Sequence, residues 1–152
     1  MKLRLYLDTS VVSAYVDDRL PERRRATIEF WDRLVEFEVS VSELTVAEVR
    51  ATGEATLRRQ MEELIQPFEV LAVGEETRRL AQEYVRRGVF SSATIEDALH
   101  VAIAVASRRD ILVSWNFRHL VNRRRRAQIN EVNVLLDHAT IEILAPPEVE
   151  GS

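Results

Sequence analysis

The chain contains no cysteine and a single lysine among its 152 residues. The lack of cysteine excludes a disulfide framework, a zinc–thiolate site and a cysteine nucleophile, and it fits a reducing compartment. No apolar stretch approaches the ~20 residues that a membrane-spanning helix needs. The first residues enter a strand-like run without the basic and apolar regions of a secretory signal. We therefore expect a cytoplasmic protein that does not associate with a membrane.

The chain also lacks the strong positive charge that is typical of proteins held on nucleic acid by electrostatics alone. Its formal net charge is −4 at pH 7, so local patches matter more than the whole molecule. Apart from Lys2, its 21 basic residues are all arginine, which suits bidentate contacts with phosphate. The base composition of a genome could produce the same bias. With 46% apolar residues, the chain is long enough for a globular domain with a sizeable core.

Strand-like and helical patterns alternate along the chain. Apolar runs predict strands at residues 3–7, 38–42, 68–73, 111–114 and 140–144, and helical spacing predicts helices between them and over 118–137. Strands separated by helices favour an α/β fold in which a mostly parallel central sheet of four to five strands has helices on both faces.

Four polar residues follow apolar runs at separate points of the chain: Asp8, Glu48, Asp97 and Asn116. In an open α/β sheet, strand ends and the starts of the following helices converge on one crevice. Acids gathered there repel one another, and Mg²⁺ binds carboxylate oxygens while keeping several of its waters. The pattern indicates a metal site for phosphodiester chemistry.

Each of these residues also has an explanation that needs no site. Asp8 could cap a helix, and Thr45-x-x-Glu48 and Thr94-x-x-Asp97 match the capping box or a close variant of it. Asn116 could serve a turn. Their shared location in the predicted sheet favours a common site, since an acid in a first helical turn can cap the helix and still bind a cation.

Three segments resemble the signature blocks of PIN-domain ribonucleases, and within these the VapC-type toxins of prokaryotic toxin–antitoxin pairs. They are LYLDTS at 5–10, SELTVAEV at 42–49 and EDALHVAIA at 96–104. The resemblance implies one three-layer α/β/α domain over residues 1–147, with 148–152 as a C-terminal tail. It also implies Mg²⁺- or Mn²⁺-dependent cleavage of single-stranded or structured RNA, a cognate antitoxin as partner, and a homodimer.

The resemblance places the family's three acids, which would hold the metal and act in catalysis, on Asp8, Glu48 and Asp97. The fourth catalytic position usually holds an aspartate, and here it is Asn116. The amide removes one negative charge, which should weaken binding of a second metal and could lower activity. A second hypothesis therefore stays open: a catalytically weak module that binds RNA or an antitoxin and regulates.

Substrate contacts are predicted for Thr9, Ser114 and Arg118, which adjoin the acids. Residues 111–130 contain five arginines and no acid, so they could hold phosphates beside the scissile bond, although arginine runs are also common on solvated helix faces. The aromatic rings at 115 and 117 could stack on a base, and at least one of them is expected to belong to the core.

Two further interpretations concern packing. His100 lies about one helical turn after Asp97, and a structural or positioning role is expected for it. Apolar residues on the early helices could support a homodimer or receive an antitoxin helix: Val11, Val12, Tyr15 and Val16.

Overall fold

A five-stranded parallel sheet forms the centre of the protein. In the computed structural model, which describes residues 1–151, the strand order is β3-β2-β1-β4-β5 and each neighbouring pair is parallel. The predicted α/β fold is therefore confirmed. The strands are β1 (Arg4–Leu7), β2 (Glu38–Ser42), β3 (Glu69–Leu71), β4 (Ile111–Val113) and β5 (Glu142–Leu144).

Helices cover both faces of this sheet, which gives the three predicted layers. Leu5, Tyr6 and Leu7 are all fully buried, although successive strand residues point to opposite faces. No helix within residues 1–151 has the length and apolar character to cross a membrane. The helices are α1 (Thr9–Val16), α2 (Pro21–Asp32), α3 (Glu43–Arg50), α4 (Ala55–Ile65), α5 (Glu75–Arg86), α6 (Ile95–Ala106) and α7 (Arg123–Leu135).

The carboxyl ends of β1, β2 and β4 lie side by side, because β1 is hydrogen-bonded to both of the others. The Asp8 backbone N–H continues the ladder beyond β1 by donating to the Val113 carbonyl at 3.2 Å. Helix α6 packs into the core through Ala98, Val101 and Ala102, all of them buried. The small alanines allow close packing. This packing fixes the position of the first turn of α6.

Helix α7 begins later than its pattern predicted, at residue 123 rather than 118. Asn122 caps the helix by accepting a hydrogen bond from the Arg125 backbone N–H at 2.8 Å, and residues 116–122 form a turn instead. Leu135, an apolar residue of this helix, is 64% exposed. Charged and polar residues dominate this helix, so its pattern fixed neither its start nor its inner face.

The early helices also differ from their prediction. Val11 and Val12 are completely buried, because α1 packs them against the sheet and its neighbouring helices, and they cannot form a docking surface. Tyr15 and Val16 remain partly accessible and line a groove with α4.

The last residues contact the body of the domain. Residues 146–148 form a short 3₁₀ turn that packs against α2, and Arg33 donates to the Val149 carbonyl at 2.6 Å. Val149 is buried. The division into a domain over 1–147 and a tail over 148–152 stays a prediction, and residue 152 lies outside the described residues.

Candidate active site

Asp8 stands at the junction of β1 and α1 and is 4% exposed. It caps α1, as the sequence suggested: its Oδ1 accepts from the Ser10 backbone N–H at 3.1 Å and from the Ser10 hydroxyl at 2.5 Å. Burial raises the pKa of the Asp8 carboxyl, and the charge of His100 and hydrogen bonds from Ser10 and Ser114 oppose that rise only in part. A cation beside this carboxyl would therefore offset an unfavourable burial of charge.

Glu48 does not cap its helix. Ser42 caps α3 by accepting from the Thr45 N–H, and the Thr45 hydroxyl accepts from the Ser42 N–H. The predicted Thr45–Glu48 box is wrong, because the box begins three residues earlier at the end of β2. The Glu48 carboxylate is thus free to accept a hydrogen bond from the Thr9 hydroxyl at 2.5 Å, which connects α3 to the residue after Asp8.

A buried chain of hydrogen bonds fixes Glu48 from behind. His100 Nε2 lies 2.8 Å from Glu48 Oε1, and His100 Nδ1 lies 2.6 Å from the Tyr6 hydroxyl. Because a carboxylate can only accept, Nε2 carries the proton that it shares with Glu48. Burial raises the pKa of the Glu48 carboxyl, but the hydrogen bond and charge of His100 and the hydrogen bond of Thr9 outweigh burial and lower it. These contacts agree with the positioning role expected for His100.

Asp97 lies in the first turn of α6. It faces the loop that follows β4. Its Oδ1 accepts from the Asn116 side-chain amide at 3.3 Å, and its Oδ2 lies 3.1 Å from His119 Nδ1. Thr94 makes no side-chain cap to α6 but pairs with Ser91 in the preceding 3₁₀ turn. The predicted Thr94–Asp97 box is therefore wrong as well.

Asn116 takes part both in a turn and in the site, as the sequence suggested. Its side-chain oxygen accepts from the His119 backbone N–H at 2.9 Å, while its NH₂ group faces Asp97. The Asn116 oxygen therefore uses one of its two lone pairs in the turn. The Asn116 side chain thus orients Asp97 by donating a hydrogen bond to it.

The sequence reasoning gave no role to two titratable residues that face the acids. His119 was too isolated in sequence to interpret, yet it contacts Asp97. The pKa of Glu96 is raised, chiefly by a hydrogen bond between its carboxyl group and that of Glu48 and also by the Glu48 charge. The Glu96-Asp97 pair in the first turn of α6 was the available signal, since the two side chains leave the helix about 100° apart and reach different neighbours.

Contacts link Asp8, Glu48 and Asp97 around one edge of the sheet. Ser10 connects Asp8 to Ser114 at 3.4 Å between hydroxyl oxygens, and Asn116, which lies against Asp97, donates its backbone N–H to the Ser114 hydroxyl at 2.9 Å. Within residues 1–151, however, no three acidic or histidine side chains are close enough together to hold one metal ion.

The donor chemistry of this edge fits a hard divalent cation all the same. The carboxylates supply oxygen ligands, and Mg²⁺ is commonly held by one or two carboxylates with waters completing its shell. The neighbouring Glu48 raises the pKa of the Glu96 carboxyl, which indicates crowded negative charge at this edge that a cation would relieve.

The predicted substrate residues are placed differently from one another. Arg118, two residues after Asn116, is exposed, and the Thr9 hydroxyl donates to Glu48. Ser114 is completely buried, so direct contact with a substrate does not fit its position, and its hydroxyl supports Asn116 instead. Trp115 belongs to the core as expected for one of the two rings, whereas Phe117 is 47% exposed.

Comparisons with known proteins agree with this architecture. The PIN domain family model matches residues 5–116, and no curated protein matches the sequence. Among solved structures, VapBC2 from Rickettsia felis bound to a DNA fragment of its promoter has a TM-score of 0.63 at 12% identity, covering 94% of this chain and 98% of that one.

Two other solved structures are similar. VapC20 from Mycobacterium tuberculosis, a toxin that cleaves the sarcin–ricin loop, has a TM-score of 0.56 at 17% identity, covering 71% of this chain and 86% of its own. DNA-bound VapBC from Salmonella typhimurium has a TM-score of 0.56 at 18% identity, with coverage of 95% and 98%. At such identities these structures share the fold with this chain, and they carry no argument about its activity.

Proposed function

The chain belongs to the PIN-domain family, and from that premise we propose that it is a metal-dependent endoribonuclease, the toxin of a type II toxin–antitoxin pair. The observation that carries the proposal is the linkage of Asp8, Glu48 and Asp97 around the carboxyl edge of the sheet. Their order and sequence blocks are those by which the chain resembles VapC-type toxins.

We assign to Asp8, Glu48 and Asp97 the binding of Mg²⁺ or Mn²⁺, with one or two carboxylates bound directly and the rest acting through waters that such a cation keeps. When bound, such a cation lowers the pKa of water and neutralises charge that grows on a phosphate during hydrolysis. The chain's own contribution is to hold the carboxylates in position. Ser10 fixes one oxygen of Asp8, His100 fixes Glu48, and the Asn116 amide restrains Asp97.

We propose that the RNA backbone binds on the exposed side of this edge, beside Arg118. Its guanidinium would neutralise a phosphate beside the scissile bond, and an arginine can make two parallel hydrogen bonds to phosphate oxygens. We assign Thr9 to positioning Glu48, because its hydroxyl donates to that carboxylate.

The proposed antitoxin would inhibit the enzyme by binding. Another solved neighbour, VapBC-5 from Mycobacterium tuberculosis, is a member of a family of toxin–antitoxin systems. The groove between α1 and α4, lined in part by Tyr15, Val16, Leu57 and Leu64, offers apolar surface for an antitoxin helix. The homodimer and the cytoplasmic location remain predictions from the sequence.

The direct test is incubation of the purified protein with single-stranded RNA in Mg²⁺ or Mn²⁺. We expect cleavage that EDTA abolishes and that the added metal restores. No metal-dependent cleavage of any RNA by a folded protein would contradict the proposal.

A second candidate function is a regulatory module that binds RNA or an antitoxin without efficient cleavage. The observation in its favour is Asn116, which contributes a neutral donor where a fourth acid is usual. RNA binding with an affinity that EDTA leaves unchanged, together with absence of cutting, would favour this module.

A further inference from the structure

A pocket of about 310 Å³ adjoins the acid site between α1, the start of α2 and the end of β4. Two of its lining residues also contact the acids: Ser10 donates to Asp8, and Asn116 donates to Asp97. An RNA strand with a phosphate at the acids would therefore have a neighbouring nucleotide at this pocket. The cleavage chemistry proposed above makes no use of it.

The pocket has a flat cationic wall that the core holds in place. The Arg23 guanidinium lies over the Trp115 ring, 4.8 Å from its centroid. Trp115 cannot rotate freely, because its indole N–H donates to the buried Thr27 hydroxyl at 2.8 Å. Unpaired RNA bases stack on aromatic rings and on arginine planes, and Leu20, which is 50% exposed, adds an apolar lip.

The pocket also contains one fixed carboxylate. Asp17 accepts three hydrogen bonds from Arg19, one from its backbone and two from its guanidinium, at 2.9–3.0 Å. The hydrogen bond from the Arg19 side chain is the main reason that the pKa of the Asp17 carboxyl is lowered, so this group is ionised at neutral pH. A carboxylate has about four acceptor positions, which leaves room for another partner.

One remaining acceptor position on a carboxylate can distinguish among the bases. Guanine presents adjacent N–H donors at N1 and N2, so it can donate to Asp17 without placing a lone pair against the carboxylate. Adenine has a ring-nitrogen acceptor beside its amino group, and that lone pair would face the carboxylate. Asp17 therefore favours guanine over adenine, while the plane of the Arg23 guanidinium provides stacking.

We propose that the pocket formed by Asp17, Leu20, Arg23 and Trp115, here called the Arg23 pocket, binds one unpaired guanine base of the RNA beside the cleaved bond. The proposal rests on the proposed ribonuclease function for its substrate. It adds a residue-level origin for sequence preference, which the acids alone do not supply.

The test uses a short single-stranded RNA whose cleavage site has been mapped. Each flanking position in turn carries guanine, inosine, adenine or no base, and kcat/KM is measured for every strand. At one position we expect the intact protein to prefer guanine over the abasic strand by about tenfold, the usual scale for one stacked base, with inosine intermediate because it lacks the N2 amino group.

Arg23→Ala should reduce that preference to near unity, and Asp17→Asn should remove the preference for guanine over adenine. The matched controls are Arg25→Ala and Asp18→Asn, which make the same charge changes at exposed neighbours outside the pocket and should keep the preference. If Arg23→Ala lowers cleavage of the guanine and abasic strands by the same factor, the Arg23 pocket does not recognise a base.

A binding measurement separates this proposal from the nuclease proposal. The chain has two tryptophans, so a Trp31→Phe variant leaves Trp115 as the reporter. In EDTA, the guanine strand should quench Trp115 fluorescence more than the abasic strand does, and Arg23→Ala should remove the difference. Such quenching by a protein that cuts no RNA would support the pocket while refuting the nuclease. Equal quenching by both strands would overturn the pocket.

A protein occupant is the rival outcome. If Arg23→Ala weakens binding of a purified antitoxin while the preference for guanine is unchanged, the pocket belongs to the protein partner and the guanine proposal is wrong.

Discussion

The two sides of the acid site differ in how firmly the chain holds its carboxylates. On one side, here called the β2 half, Glu48 is backed by His100 and Tyr6, and the His100 side chain is only 5% exposed. On the other, the β4 half, Asp97 is restrained by Asn116 and by His119, whose side chain is 29% exposed. The core fixes the first carboxylate, and a surface turn fixes the second. We infer that the β2 half is pre-organised for a cation and that the β4 half is the adjustable part.

The largest effect is expected from Asp8→Asn, because Asp8 adjoins both halves through its neighbours Thr9 and Ser10. Cleavage should fall by at least ~100-fold, on the scale of losing a group that stabilises charge directly. Rates are measured under saturating Mn²⁺ with a strand cut by the intact protein. Full activity in a folded Asp8→Asn variant would refute the site.

The same substitution is also expected to change the stability of the metal-free protein. Because burial raises the pKa of Asp8 in the folded state, metal-free protein should lose stability as pH rises above the ordinary value of 3.8. Asp8→Asn removes that loss, so in EDTA at pH 7 its Tm should exceed that of the unaltered chain. A lower Tm would show that the carboxylate is favourably buried without a cation.

His100→Gln tests the β2 half. Removing a residue that orients a metal-binding carboxylate commonly costs 10- to 100-fold in activity or metal affinity, and we expect about tenfold in kcat. Tyr6→Phe is the matched variant, since it breaks the same chain one bond further from Glu48 and should have a smaller effect. If both variants retain full kcat, the buried chain has a structural role alone.

Asn116→Asp tests whether the missing charge limits the β4 half. The new carboxylate would face Asp97, so the two acids should repel each other and lower Tm in EDTA. Added Mn²⁺ should raise Tm by more in this variant than in the unaltered chain, and activity should increase by about three- to tenfold. Asn122→Asp adds the same charge elsewhere on this segment and serves as the control.

The smallest effect is expected from His119→Gln, because a partly exposed contact contributes little. We expect a change of about two- to threefold in kcat/KM, measured beside His100→Gln under identical conditions. A loss as large as that of His100→Gln would contradict the difference between the two halves.

Much of the site was predictable from local patterns. The alternation of strands and helices indicated a parallel sheet. Residues just after β1 and β4, and in α3, the helix that follows β2, were then expected at the same edge. The cap formed by Asp8 was predictable because it is local: both of its hydrogen bonds come from Ser10, two residues further along the chain.

The partners of the acids were less predictable. The capping boxes proposed for Glu48 and Asp97 were wrong, because Ser42 and Ser91 provide equivalent boxes one turn earlier. Sequence spacing alone does not decide between two overlapping boxes.

By itself, then, the amino-acid sequence determined the α/β class, the order of the strands along the chain and the positions of the three acids, since each depends on periodicity or on near neighbours. Only the tertiary structure decided that Glu48 meets His100 across 52 positions, that Asp97 meets His119 across a turn, and that Arg23 covers Trp115. The physical reason is that a hydrogen bond or a stacked ring depends on where helix packing places a side chain, and that placement is set by the whole core.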